Sequence, residues 1–127
     1  MQNPVEKFFS CVAKGDLKAA LELVSENAIF EAQGPKSVPI YGVFQGKEGV
    51  TRFLAILGDL FSTEAFEIRK CVEVDNFVFG YGYMQHSVKK TDRVFQCEWA
   101  LVCEVEHGVI TSYKMFEDTA ALQSAYA

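Results

Sequence analysis

The sequence predicts an α+β domain, and three observations carry that expectation. Apolar residues in the N-terminal half recur at helical spacing. In the C-terminal half they alternate as a strand does. The strand-like runs are joined by short polar turns, so consecutive hairpins build a mostly antiparallel sheet with its helices gathered on one face.

The first helix starts at Asn3, a capping residue, followed by Pro4 at the favoured first helical position. Val5, Phe8, Phe9 and Val12 then share one face. Gly15 ends the helix, Asp16 caps a second one, and Leu17, Ala20, Leu21 and Val24 repeat the spacing. Ala28 to Ala32 reads as a short strand, and Gln33 to Tyr41, with two prolines and a glycine, as a loop.

The stretch YGVFQGKEGV (Tyr41–Val50) is rich in glycine, which raises the question of a phosphate cradle. It matches neither GxxxxGK[ST] nor a GxGxxG turn after a buried strand. Val50, Phe53, Leu54 and Leu57 continue it at helical spacing, and Glu48 suits the positive end of the helix dipole but would repel an anion. It is a helix entrance.

Strands follow from Phe66 to Glu73, from Phe77 through Tyr83, from Val94 to Val105 and from Val109 to Glu117. The turns fall at Asp75-Asn76, Lys89 to Arg93 and Glu106 to Gly108, and Asp118-Thr119 caps a short terminal helix.

The 127 residues fit one domain spanning 1–127. Half are hydrophobic and 23% are charged, which excludes a disordered chain. The net charge of −5, with no basic block longer than Lys89-Lys90, argues against nucleic acid as a partner, since such binding needs a concentrated positive face. MQNPVEKFF lacks a signal-peptide pattern, and no apolar run is long enough for a bilayer. A cytoplasmic protein with no membrane role is expected.

Cys97 and Cys103 lie on one strand with Cα atoms roughly 20 Å apart, so they cannot bridge or share a metal. There is no CxxC pair, and neither histidine has partners at ligand spacing. Cys11, Cys71, Cys97 and Cys103 read as buried thiols, and no metal or cofactor is expected.

Three segments, FFSCVAKGDLKAALELVSENAIFEA, YGVFQGKEGVTRFLAIL and WALVCEVEHGVITSYKMFEDTAAL, together resemble the NTF2-like superfamily. The likeness is greatest to its SnoaL-like branch, which is related to ketosteroid isomerase and the polyketide cyclases. The resemblance implies a cone: a strongly curved, mostly antiparallel sheet wrapped around the N-terminal and central helices, enclosing a cavity. It also implies a homodimer paired through the sheet, which would cover the outer sheet face.

By that analogy Trp99, Leu101, Tyr113 and Met115 line the cavity, with Phe30 joining from the first strand. Tyr41 and Tyr83 are counted with them, although strand parity leaves Tyr81 and Tyr83 to either the cavity or the dimer face. Such a pocket would be oily, aromatic and nearly free of ionisable groups, unless the same side chains simply fill the cone. Gly80 and Gly82 leave one face of their strand bare for a bend or a close approach.

The ketosteroid isomerase base position falls on Ala32, and Trp99, Leu101 and Cys103 offer no acid on the neighbouring strand, so that isomerisation is not expected. The remaining catalytic candidates are Glu117 or Asp118 as base and Tyr113 as donor. Asp118 also reads as a helix cap, Glu31 as pointing outward, His86 as a surface residue and His107 as part of a turn. The expected function is binding of a small hydrophobic molecule. The alternative is an isomerase, cyclase or hydratase acting on a small hydrophobic carbonyl compound through a carboxylate base.

Overall fold

The computed structural model describes residues 2–127. The elements run α1 (Pro4–Ala13), α2 (Leu17–Glu22), β1 (Val24–Ala32), β2 (Gly42–Gln45), α3 (Gly46–Leu60), β3 (Phe61–Val74), β4 (Phe77–Val88), β5 (Arg93–Glu106), β6 (Val109–Phe116) and α4 (Thr119–Tyr126). The six strands form one curved sheet in the order β2-β1-β6-β5-β4-β3. Every neighbouring pair is antiparallel except β1 with β6.

Local chemistry sets the helix starts as the sequence predicts. Asn3 accepts from the Glu6 amide while the Glu6 carboxylate accepts from the Asn3 amide, a reciprocal capping box that places Pro4 at the first position. Asp16 caps α2 and Asp118 caps α4, each accepting from the backbone N–H three residues on. The structure corrects the strands at three points, the first being that β1 starts at Val24, read as the last residue of the second helix's apolar face, and not at Ala28. Gly42–Gln45, read as part of a helix entrance, pairs with β1 as an edge strand before Gly46, at φ +71°, turns the chain into α3. β3 begins five residues earlier than its alternation suggests, because bulges at Thr63/Ala65 and Ile68/Lys70 break the period of two.

The core sits between the concave sheet face and the helices. On β5 the buried residues Phe95, Trp99, Leu101, Cys103 and Val105 alternate with exposed ones. Gly82, opposite Trp99 in the register, is what lets the indole lie on the sheet. A Cβ there would come 1.9 Å from the Glu67 carbonyl oxygen and 2.5 Å from Trp99 Cζ2. Phe30 and Tyr113, paired across β1 and β6, stack with ring centroids 4.3 Å apart and planes 3° apart.

The convex face carries an exposed apolar patch of Val72, Val74, Phe77, Phe79, Tyr81 and Phe116. Among the described residues no helix is long and apolar enough to cross a membrane. The cysteines are free thiols; Cys103 is buried, whereas Cys11, Cys71 and Cys97 are only partly so, which corrects the expectation for those three.

Candidate functional site

A cavity of about 620 Å³ opens between the concave sheet face and the helices. Phe9 and Val12 reach it from α1, and Phe53, Leu54 and Leu57 from α3, because the apolar stripe of each amphipathic helix faces the sheet. Phe61, Phe66, Phe95, Tyr113 and Met115 project from the strands, so the wall is predominantly aromatic and aliphatic. Among the described residues no Lys or Arg lines it.

At one end stands Glu117, just beyond β6, where strand parity turns it inward behind Tyr113 and Met115. The Tyr41 hydroxyl donates to Glu117 Oε2 at 2.8 Å. Burial holds the Glu117 carboxyl above the ordinary carboxylate range, against the opposing pull of the Tyr41 hydrogen bond. The Tyr41 phenol is raised in turn by burial and by the neighbouring Glu117 charge. Tyr113 lines the cavity with its phenol raised by burial.

At the other end His86 is only 8% exposed. Its ring stacks on Phe61 at 4.5 Å and lies 6.2 Å from Phe95. Thr63 Oγ1 lies 3.0 Å from His86 Nδ1. Burial lowers the imidazole pKa to about 4, although the Glu64 carboxylate at the rim acts to raise it. His86 is therefore neutral at physiological pH.

Of the residues expected to form the pocket, the structure brings Tyr113, Met115 and Glu117 to the cavity wall. It moves the others. Phe30 is fully buried beneath Tyr113, and Leu101 lies in the core behind the wall. Trp99 is covered by Phe66, stacked at 5.1 Å, and by Phe9; its Nε1–H is buried without a partner among the described residues. Tyr41 touches the site only through its hydroxyl on Glu117. Tyr83 lies on the convex face, where its hydroxyl donates to Gln85 and Gln96 and Arg69 sits over its ring, because odd positions of β4 point outward. Asp118 caps α4 and is exposed.

His86 is the residue the sequence reading missed. A polar turn three residues later suggested the surface, yet His86 shares parity with Met84 and Val88, both buried. Extending the β4 alternation two residues further would have found it. The expectation of an interior nearly free of ionisable groups is corrected accordingly: Glu117, His86 and, at the rim, Glu64 line it. Among the described residues, no three His, Cys, Asp or Glu side chains converge in a group able to hold a metal ion.

Comparison with known proteins gives a consistent picture. The family model described as a SnoaL-like domain matches residues 5–113. The fold is similar to that of an NTF2-like protein from Burkholderia xenovorans LB400, with a TM-score of 0.90 at 25% identity over 98% of this chain and 93% of that one. It is also similar to a putative isomerase from Bacillus subtilis, with a TM-score of 0.82 at 21% identity over 97% and 89% of the two chains. A hypothetical protein of ketosteroid isomerase-like fold from Catenulispora acidiphila, in complex with trimethylamine, aligns with a TM-score of 0.80 at 13% identity over 97% and 91%. No curated protein matches the chain.

Proposed function

Because the chain belongs to the SnoaL-like domain family, we propose that its cavity binds a small hydrophobic molecule. The observation that carries this reading is the cavity itself: about 620 Å³ walled mainly by Phe and aliphatic side chains. A molecule entering it exchanges water for apolar contact at roughly 25 cal/mol per Å² of apolar surface buried. That a neighbour of the same fold is in complex with trimethylamine supports small-molecule binding as a use of this scaffold. The convex patch around Phe77 and Phe79 supports a further element of the reading, a homodimer paired through the sheet.

The test uses N-phenylnaphthylamine, a neutral apolar dye that brightens in dry surroundings. The wild-type protein should enhance its emission, and Leu57→Trp, which fills the cavity, should weaken binding at least about tenfold with the circular dichroism unchanged. A wild-type protein that leaves the dye dark ends the reading.

One observation favours a second reading, proton transfer on a carbonyl compound. Glu117 is a cavity carboxyl held above its usual range, with Tyr113 on the same strand face. As base, Glu117 takes a proton from the carbon beside a carbonyl; the electron pair moves onto the carbonyl oxygen, where the Tyr113 hydroxyl donates to it. Exchange of that proton in deuterated water, followed by NMR on a hydrophobic ketone, should fall roughly 100-fold in Glu117→Gln. Equal exchange by wild type and variant removes the second reading and leaves the first standing.

A further inference from the structure

His86 lies at the end of the cavity away from Glu117, and nothing in the proton-transfer scheme uses it. Its surroundings are unlike those of a side chain placed only for packing. The ring lies on Phe61 and beside Phe95, and Thr63 Oγ1 at 3.0 Å holds Nδ1, which fixes the ring plane. Nε2 is the ring nitrogen outside that contact, on a side chain that lines the cavity. An apolar side chain would fill this position against two Phe rings without the cost of desolvating an imidazole.

The opposite end offers the Glu117 carboxyl, with Tyr113 four residues back on the same strand face. Between these two stations the wall is Phe, Leu and Met. Glu117 continues β6 opposite Trp99, whereas His86 pairs with Phe95 one strand further on. Strand spacing and rise then put their backbones roughly 15 Å apart. Both side chains turn inward, so their polar tips are closer than that.

The charge of the wall narrows the ligand further. Its carboxyl groups are Glu117 and Glu64, it has no Lys or Arg, and His86 is neutral, so nothing there compensates a buried anion. Resting on the binding reading above, we infer that His86 and Thr63 form a second polar anchor, and that the cavity takes an uncharged, elongated apolar molecule bearing a hydroxyl or carbonyl oxygen at each end. One oxygen meets Nε2 of His86, and the other meets the polar end at Glu117.

Two uncharged probes of one shape test this: para-hydroxybiphenyl and its para,para′-dihydroxy counterpart, measured by calorimetry. The wild type should bind the dihydroxy compound at least about threefold more tightly, the effect of one added hydrogen bond. In His86→Phe that preference should vanish. Nitrogen NMR of the wild-type imidazole gives a readout that does not depend on the variant folding: the Nε2 resonance should move when the dihydroxy compound is added. Equal affinities in the wild type, a preference that survives in His86→Phe, or an unmoved Nε2 resonance each overturns the anchor and leaves the cavity reading intact. Failure of both biphenyls to bind overturns the cavity reading, and the anchor falls with it.

Discussion

The Tyr41 hydroxyl donates a 2.8 Å hydrogen bond to the Glu117 carboxylate, joining residues 76 positions apart. The bond ties the end of β6 to the loop that precedes β2, so the chemistry at the closed end of the cavity depends on a contact that neither strand makes alone. It also holds the Glu117 pKa below where burial alone would set it.

Tyr41→Phe should therefore raise the Glu117 pKa further. It should also lower stability by about 2 kcal/mol, the usual cost of removing a donor from a charged acceptor. Carbon NMR of the Glu117 carboxyl and urea denaturation measure the two effects. An unchanged or lowered pKa would contradict the stated role of the bond.

His86 sets an acid limit on stability. Its folded pKa of about 4 lies below its ordinary value of 6.5, so the unfolded chain binds the proton more readily. Its contribution is fully present above pH 6.5, declines as the pH falls, and is gone below about 4, a difference of about 3 kcal/mol. Glu64 is the carboxylate that opposes the shift. Glu117, raised rather than lowered, acts with the other sign and costs stability as pH rises above 4.5. Urea midpoints measured between pH 4 and 7 should flatten in His86→Phe; a slope as steep as the wild type's would sink this account.

Gly82→Ala should destabilise the fold by roughly 1–3 kcal/mol, because the added methyl meets the Glu67 carbonyl as well as the Trp99 ring. Since backbone lies on one side, the strain is relieved only by moving β3 or the indole. Tryptophan fluorescence should change with stability, as Trp99 is the single tryptophan. A variant as stable as the wild type, with an unaltered spectrum, would show that the close approach is not a constraint.

Phe79→Asp addresses the proposed dimer. Phe79 stacks with Phe77 at 5.7 Å on the convex face, 42% exposed and away from the cavity. A charge there should turn a wild-type dimer into a monomer in sedimentation velocity without altering dye binding. A monomeric wild type would end the dimer proposal directly.

Much of the fold was legible because its signals are local. Asn3, Asp16 and Asp118 cap helices through contacts three residues long, and the β5 alternation puts Trp99, Leu101 and Cys103 on one face, which the family resemblance implies is inward. The site was legible only in part. Parity put Tyr113, Met115 and Glu117 on one face and the family resemblance implied that this face is inward, but facing inward does not separate a residue on the cavity wall from one in the core behind it. Trp99 and Leu101 face inward and are covered by other side chains, a matter of which helix lies above them.

The sequence by itself determined the order of helices and strands apart from the edge strand β2, the helix caps, and which side chains of β5 and β6 share a face, since each follows from spacing within one segment. Only the tertiary structure decided the rest. The parallel pairing of β1 with β6, the closure of Tyr41 onto Glu117 and the burial of His86 against Phe61 join residues distant in the chain. Desolvation, which moves the Glu117 and His86 pKa values, depends on everything packed around a group, and no single segment carries that information.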